Sequence, residues 1–228
     1  GGGIYVASGT SYLRNCMILD NLADGDTQCG APKGGGVGLN GTAELRNCTI
    51  KNNSSVASWW SPYGMGDGVH VGSGTVLVQN SLIAGNHGSD IGIGIRQEGG
   101  TVLIDNCTIA TNKDYGVWRQ DGTMVISNSI LWANGDDIYE SAPSLTLSYC
   151  DVEDGDSSGN NGCISANPRF VDWVYYHEES PHGQYAGGYF SGGSWATGTT
   201  ISAAVDGGAP ACAFSTEPNP NGARVNMG

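Results

Sequence analysis

Short runs of alternating aliphatic and variable residues recur along the chain, each at a fixed offset from an Asn. The unit reads Gly-Thr, two residues, an aliphatic, one residue, Asn, Cys or Ser, one residue, an aliphatic, two residues, Asn. It runs from Gly9 to Asn21, Gly41 to Asn53, Gly74 to Asn86, Gly100 to Asn112 and Gly122 to Asn134, with a degenerate copy from Pro143 to Val152. Alternation of this kind predicts half-buried strands, and a fixed internal period predicts a solenoid. Intervals between equivalent Asn residues are 32, 33, 26, 22 and 21 residues, so a minimal coil of 21–22 residues carries insertions in the earlier copies. A second short strand precedes each Gly-Thr, as in Ile4-Tyr5-Val6, Val69-His70-Val71 and Val117-Trp118-Arg119, usually after a Gly. No window sustains a helical period. Coils with several short strands predict an all-β parallel β-helix of about six coils over residues 1–153, followed by a non-repetitive segment, 154–228, that packs on it or caps it.

Two aliphatic rows are expected inside the coils: Leu13, Leu45, Val78, Ile104, Ile126 and Leu147, and Ile18, Ile50, Ile83, Ile109, Leu131 and Val152. The Asn row at 15, 47, 80, 106 and 128, continued by Tyr149, is expected to be an interior amide ladder, since buried amides must be hydrogen-bonded. That reading removes Asn47-Cys48-Thr49 and Asn106-Cys107-Thr108 as glycosylation sequons. It leaves Asn40-Gly41-Thr42 and Asn53-Ser54-Ser55 as the accessible ones.

The copies beginning Gly1-Gly2-Gly3-Ile4-Tyr5-Val6 and Gly34-Gly35-Gly36-Val37-Gly38-Leu39, each followed by Leu-Arg-Asn-Cys, resemble the right-handed parallel β-helix repeats of the pectate-lyase-like superfamily. They are also similar to repeats of secreted bacterial surface proteins. Gly162 to Asp172 and Ile201 to Gly228 resemble the segments that follow the last coil in such proteins. The resemblance implies a right-handed coil and an exported, extracellular or cell-surface protein. It implies no single activity, because that superfamily includes lyases, glycoside hydrolases, adhesins and plain shafts. The chain opens inside one repeat and stops inside the tail motif, so flanking coils or domains are expected at trimmed ends.

Composition narrows the partners. The 228 residues carry 9 Lys and Arg against 22 Asp and Glu, a net charge of −13, which argues against nucleic acid. No apolar run is long enough for a membrane span. The 38 Gly residues fit many tight turns. Of seven Cys, Cys16, Cys48, Cys107 and Cys150 share a motif slot with Ser81 and Ser129, so the slot takes a small side chain. Cys29, Cys163 and Cys212 lie outside it. Cys150 with Cys163, closing a short loop, is the disulfide candidate.

Candidate chemistry lies where the repeat varies. Tyr5, Gly38, His70, Arg96, Trp118 and Tyr139 form one outward row, with Gln97, Arg119 and Glu140 beside it and Trp59, Trp60 and Tyr63 in an insertion. Aromatic faces stack on sugar rings, and Arg binds carboxylates. Tyr5, Trp59, Trp60, Tyr63, Trp118 and Tyr139 are therefore candidate polysaccharide contacts, unless they pack under the aromatic tail. A lyase or glycosidase would draw on His70, Arg96, Arg119, Glu98 and Asp121. A third class is a shaft or filament subunit that associates through its coil ends. Asp154, Asp156, Ser158 and Asn160 partly follow a calcium-loop spacing, so the cofactor expectation is calcium or none.

Overall fold

The computed structural model describes residues 2–25, 33–56, 66–89, 91–141, 144–188, 192–213 and 224–228. These residues form strands and turns without a helix. Three parallel six-stranded sheets make up the walls of a β-helix. Sheet A holds Ile4–Val6, Val37–Leu39, Val69–Val71, Ile93–Gln97, Tyr115–Arg119 and Asp136–Glu140. Sheet B holds Thr10–Arg14, Thr42–Arg46, Thr75–Gln79, Thr101–Asp105, Thr123–Ser127 and Leu145–Ser148. Sheet C holds Met17–Leu19, Thr49–Lys51, Leu82–Ala84, Thr108–Ala110, Ile130–Trp132 and Asp151–Val152. Each strand pairs with its equivalent one coil away, so like residues stack. Leu13, Leu45, Val78, Ile104, Ile126 and Leu147 are successive register partners in sheet B. Ile18, Ile50, Ile83, Ile109, Leu131 and Val152 are the same in sheet C. Both rows are buried in one continuous core.

The amide ladder is built by the other Asn of the motif. Asn15, Asn47, Asn80, Asn106, Asn128 and Tyr149 instead occupy the corner between sheets B and C, with φ between 48° and 54°. Asn tolerates this left-handed conformation better than most residues, which explains its recurrence there. Asn15, Asn47 and Asn80 are exposed. The interior ladder consists of Asn21, Asn53, Asn86, Asn112 and Asn134. Each side-chain amide donates to the Oδ1 of the next, at 2.9, 3.1, 2.9 and 3.0 Å. The same oxygens accept the backbone N–H groups of Asn21, Asn53, Asn86 and Asn112 at 3.0–3.1 Å. The sequon expectation is reversed as well: Asn53 is fully buried in the ladder, whereas Asn47 faces solvent.

The glycine that recurs at the start of the sheet A strands, just before or just inside them, follows from the ladder. A Cβ on Gly36, Gly68, Gly94 or Gly116 would meet the carbonyl of the next coil within 2.8 Å and the neighbouring ladder amide within about 3 Å. At the last rung this position is Asp137. Its Oδ1 accepts from Asn134 Nδ2 at 2.7 Å and its Oδ2 from Glu153 N at 2.8 Å, ending the ladder on a carboxylate.

Burial pushes Asp137 up to about 7, and nearby Asp154 and Glu153 add to the rise. The folded state therefore holds a proton on Asp137 that the unfolded state has released. That stabilisation is complete below the ordinary carboxylate range and is lost as pH rises toward 7. The stability advantage of the native chain over Asp137→Asn should accordingly be larger at pH 5 than at pH 8, by at least about tenfold in the folding equilibrium. Urea unfolding of both proteins at the two pH values reads this directly. An advantage independent of pH would contradict it.

The C-terminal segment seals sheet C. Tyr176 packs on the small outward residues Ala84 and Ala110, and its hydroxyl lies 2.5 Å from Thr111 Oγ1. Lys51 Nζ donates to Val174 O at 2.8 Å. Further along, Ala204 and Met227 pack on Ile130. Asn128 Oδ1 accepts from Ala209 N at 2.7 Å. None of these contacts reaches sheet A.

Candidate functional site

On sheet A, Tyr5, Gly38, His70, Arg96, Trp118 and Tyr139 are register partners in one row, as the spacing predicts. The row is not uniformly open. Tyr5 is 52% and Tyr139 40% exposed, whereas His70 is 1% and Arg96 6%. Lys33 and Gly66, which follow the two long insertions, crowd the middle of the row. A Cβ on Gly66 would meet Arg96 Cβ and His70 Cα at 3.1 Å. Trp59, Trp60 and Tyr63 lie outside the described residues.

The middle of the row is a charge cluster centred on Glu98. Lys33 Nζ lies 2.8 Å from Glu98 Oε2, His70 Nε2 3.2 Å from the same oxygen, and Arg96 Nη2 3.6 Å from Oε1. The close His70 imidazole, with further help from Lys33, holds Glu98 down at about 2. Burial lowers His70, so its imidazole is neutral beside the Glu98 carboxylate. Glu98 is thus a fixed carboxylate at neutral pH, with no proton to give to a leaving group. Both His70 ring nitrogens are enclosed, and neither completes a hydrogen bond among the described residues.

The C-terminal end of the row is an aromatic platform. Trp118 contacts Tyr115 at 5.4 Å and Tyr139 at 5.3 Å between ring centroids, and Tyr115 contacts Tyr139 at 5.1 Å. The Arg96 guanidinium lies over Trp118 at 4.5 Å and donates to Gln120 Oε1 at 3.0 Å. This gives a ring surface with a cation and an amide at its edge. At the opposite end, the Tyr5 ring lies over Gly38, where a side chain would collide with it, and its hydroxyl accepts from Asn40 Nδ2 at 2.7 Å.

The stacking of like coils along one chain has a counterpart in known proteins. The family described as right handed beta helix region matches residues 35–172, more than half of the chain. The chain belongs to that family. No curated protein and no solved structure matches it. Membership fixes the coil as a right-handed β-helix and assigns no ligand.

The remaining predicted residues distribute differently around this right-handed β-helix. Arg119 does not share the Trp118 face. Strand alternation turns it to the opposite side, in register with Gln97 and Glu140, where it is 2% exposed with Nε 3.9 Å from Glu140 Oε2. Gln97 is fully buried in that inward row and donates to Gly100 O and Thr123 O at 3.0 Å. Asp121 is an exposed turn residue whose Oδ1 accepts from Gly122 N. Of the five catalytic candidates, His70, Arg96 and Glu98 converge, and Arg119 and Asp121 stand apart. In the predicted calcium loop, Asp154 Oδ2 accepts from Asp137 N at 3.1 Å, and Asp156, Ser158 and Asn160 are exposed. No group of three or more His, Cys, Asp or Glu side chains converges for a metal among the described residues. Tyr115 was missed by the sequence reading, which began this strand at Val117. The strand extends back to Tyr115, whose ring joins the platform. No helix among the described residues is long and apolar enough to cross a membrane.

Proposed function

We propose that this right-handed β-helix is an extracellular or cell-surface structural module that binds polysaccharide along sheet A. The platform of Tyr115, Trp118 and Tyr139, with Arg96 and Gln120 at its edge, carries this reading. Aromatic rings accept the apolar face of a sugar ring, while the neighbouring amide and guanidinium take its hydroxyl or carboxylate oxygens. The C-terminal segment packs on sheet C and leaves this surface free of its described contacts. The export assigned to the module rests on the resemblance of its repeats and tail to secreted bacterial β-helix proteins.

The test is a panel of immobilised neutral and uronate polysaccharides, scored for retention, for new reducing ends and for ultraviolet-absorbing unsaturated products. Retention without product is expected on at least one glycan. Trp118→Ala or Tyr139→Ala should weaken it by about tenfold, as loss of one ring contact implies. Retention unaffected by both substitutions, or no retention on any glycan, would overturn the proposal. Product formation would replace it with an enzymatic reading.

A further inference from the structure

The small-residue slot of the motif forms a row of its own, and the structure extends it by one rung. Met17, Thr49, Leu82, Thr108, Ile130 and Asp151 are successive register partners in sheet C. Asp151 is bridged in parallel to Ile164. The residues just before them are Cys16, Cys48, Ser81, Cys107, Ser129, Cys150 and Cys163. Cys163, expected outside the slot, is therefore its seventh member. Two cysteines stand on adjacent rungs twice, at the first step and the last. Cys107 stands between serines.

The slot does not need sulfur. Each of the first six members hydrogen-bonds the carbonyl two residues earlier. Ser81 and Ser129 do so at 2.8 and 2.6 Å, while Cys48 and Cys150 use longer contacts of 3.3 and 3.4 Å. Ser81 and Ser129 also accept the backbone N–H of Cys48 and Cys107 at 3.1 Å. Serine thus does the turn's work better, since S–H is a weak donor. Only paired positions give cysteine something further to do.

We infer that the row carries two cross-coil disulfide sites, Cys16–Cys48 and Cys150–Cys163, with Cys107 remaining a thiol between them. In both pairs the backbones are already held together. Thr49 N donates to Cys16 O at 2.9 Å and Ile164 N to Cys150 O at 2.8 Å. Neighbouring strands stand ~4.8 Å apart, within the ~4.4–6.8 Å Cα separation that a disulfide spans. All six described cysteines are free thiols in this structure. Either thiol of the last pair can react first, Cys163 for example. Its thiolate attacks a small disulfide such as oxidised glutathione and releases one glutathione thiolate. Cys150 then displaces the second from the mixed disulfide. Two protein thiols lose two electrons and two protons, and the glutathione disulfide becomes two thiols. Cys150 and Cys163 are at most 2% exposed, so this exchange precedes closure of the last coil.

The test folds the chain with reduced and oxidised glutathione, blocks remaining thiols with iodoacetamide in denaturant, and maps peptides by mass spectrometry without reduction. The expected result is a Cys16–Cys48 link, a Cys150–Cys163 link and an alkylated Cys107. Reduction should lower Tm by about 5–10 °C per bridge. Cys48→Ser with Cys163→Ser keeps the turn hydrogen bond at position 48, removes one thiol of each pair and should make Tm insensitive to reductant. Alkylation of all four paired cysteines, a link from Cys16 or Cys48 to Cys29, or a native Tm unmoved by reduction would overturn the inference.

Discussion

Asn86→Leu is expected to lower folding stability by about 3–6 kcal/mol, from the several buried polar groups it strands at ~1–3 kcal/mol each. Asn86 is completely buried at the centre of the ladder. Its Oδ1 accepts from Asn53 N at 3.0 Å and Asn53 Nδ2 at 3.1 Å. Its Nδ2 donates to Ile50 O at 3.2 Å and Asn112 Oδ1 at 2.9 Å. Leucine has a similar volume, so packing changes little and the loss is almost wholly polar. The two Asn53 donors lose their acceptor with no water to replace it. The comparison with Asn80→Leu is decisive, because Asn80 belongs to the same motif but sits at the exposed corner with φ 49°. There leucine loses only Asn's tolerance of the left-handed region, roughly 1 kcal/mol. Asn80→Gly should be close to neutral, since glycine accepts that conformation freely. Urea unfolding of the three variants checks the order. Equal losses at Asn86 and Asn80 would mean that the interior ladder does not carry the stability assigned to it.

The confusion between the two Asn rows shows what the sequence made legible. Strand alternation identified both aliphatic rows, because inward and outward positions differ sharply in polarity along sheets B and C. It identified the outward sheet A row for the same reason. It did not distinguish two Asn residues six positions apart, both recurring at the same intervals. One physical signal was present. The first row admits Tyr149 at its sixth rung, which a corner position tolerates and an interior amide ladder would not. A second was the glycine recurring at the start of the first five sheet A strands, whose missing side chain makes room for the second Asn. Arg119 was misplaced because outwardness was carried one residue past Trp118, against the two-residue alternation of a strand. The burial of His70 and Arg96 had no local signal. It depends on segments that reach the row from the ends of long insertions, contacts that no repeat pattern encodes. Cys163 escaped because its rung follows Cys150 by 13 residues, well short of a full coil.

Gly94→Ala tests the other half of the ladder and is expected to destabilise by about 3–5 kcal/mol, combining overpacking with a disturbed buried amide. An added Cβ would lie 2.6 Å from Gly116 O and 2.7 Å from Asn112 Nδ2. Both are closer than a carbon can stand to either atom. The carbonyl cannot retreat, since it belongs to the Tyr115–Arg119 strand, which is paired with a strand on either side. The amide cannot rotate without losing its bonds to Asn134 Oδ1 at 3.0 Å and Ile83 O at 3.2 Å. The coils must separate locally, or the ladder must break. Gly155→Ala is the control. Gly155 has φ 87°, yet nothing lies within 4 Å of a Cβ there, so the loss is backbone strain alone, roughly 1 kcal/mol. Gly94 has an ordinary φ, so any excess over Gly155 measures the space that the Asn row requires. Thermal unfolding of the two variants should separate them clearly. A Gly94→Ala protein as stable as Gly155→Ala would show that the coils can part without loss, and that close Gly–Asn stacking is not what sets their spacing.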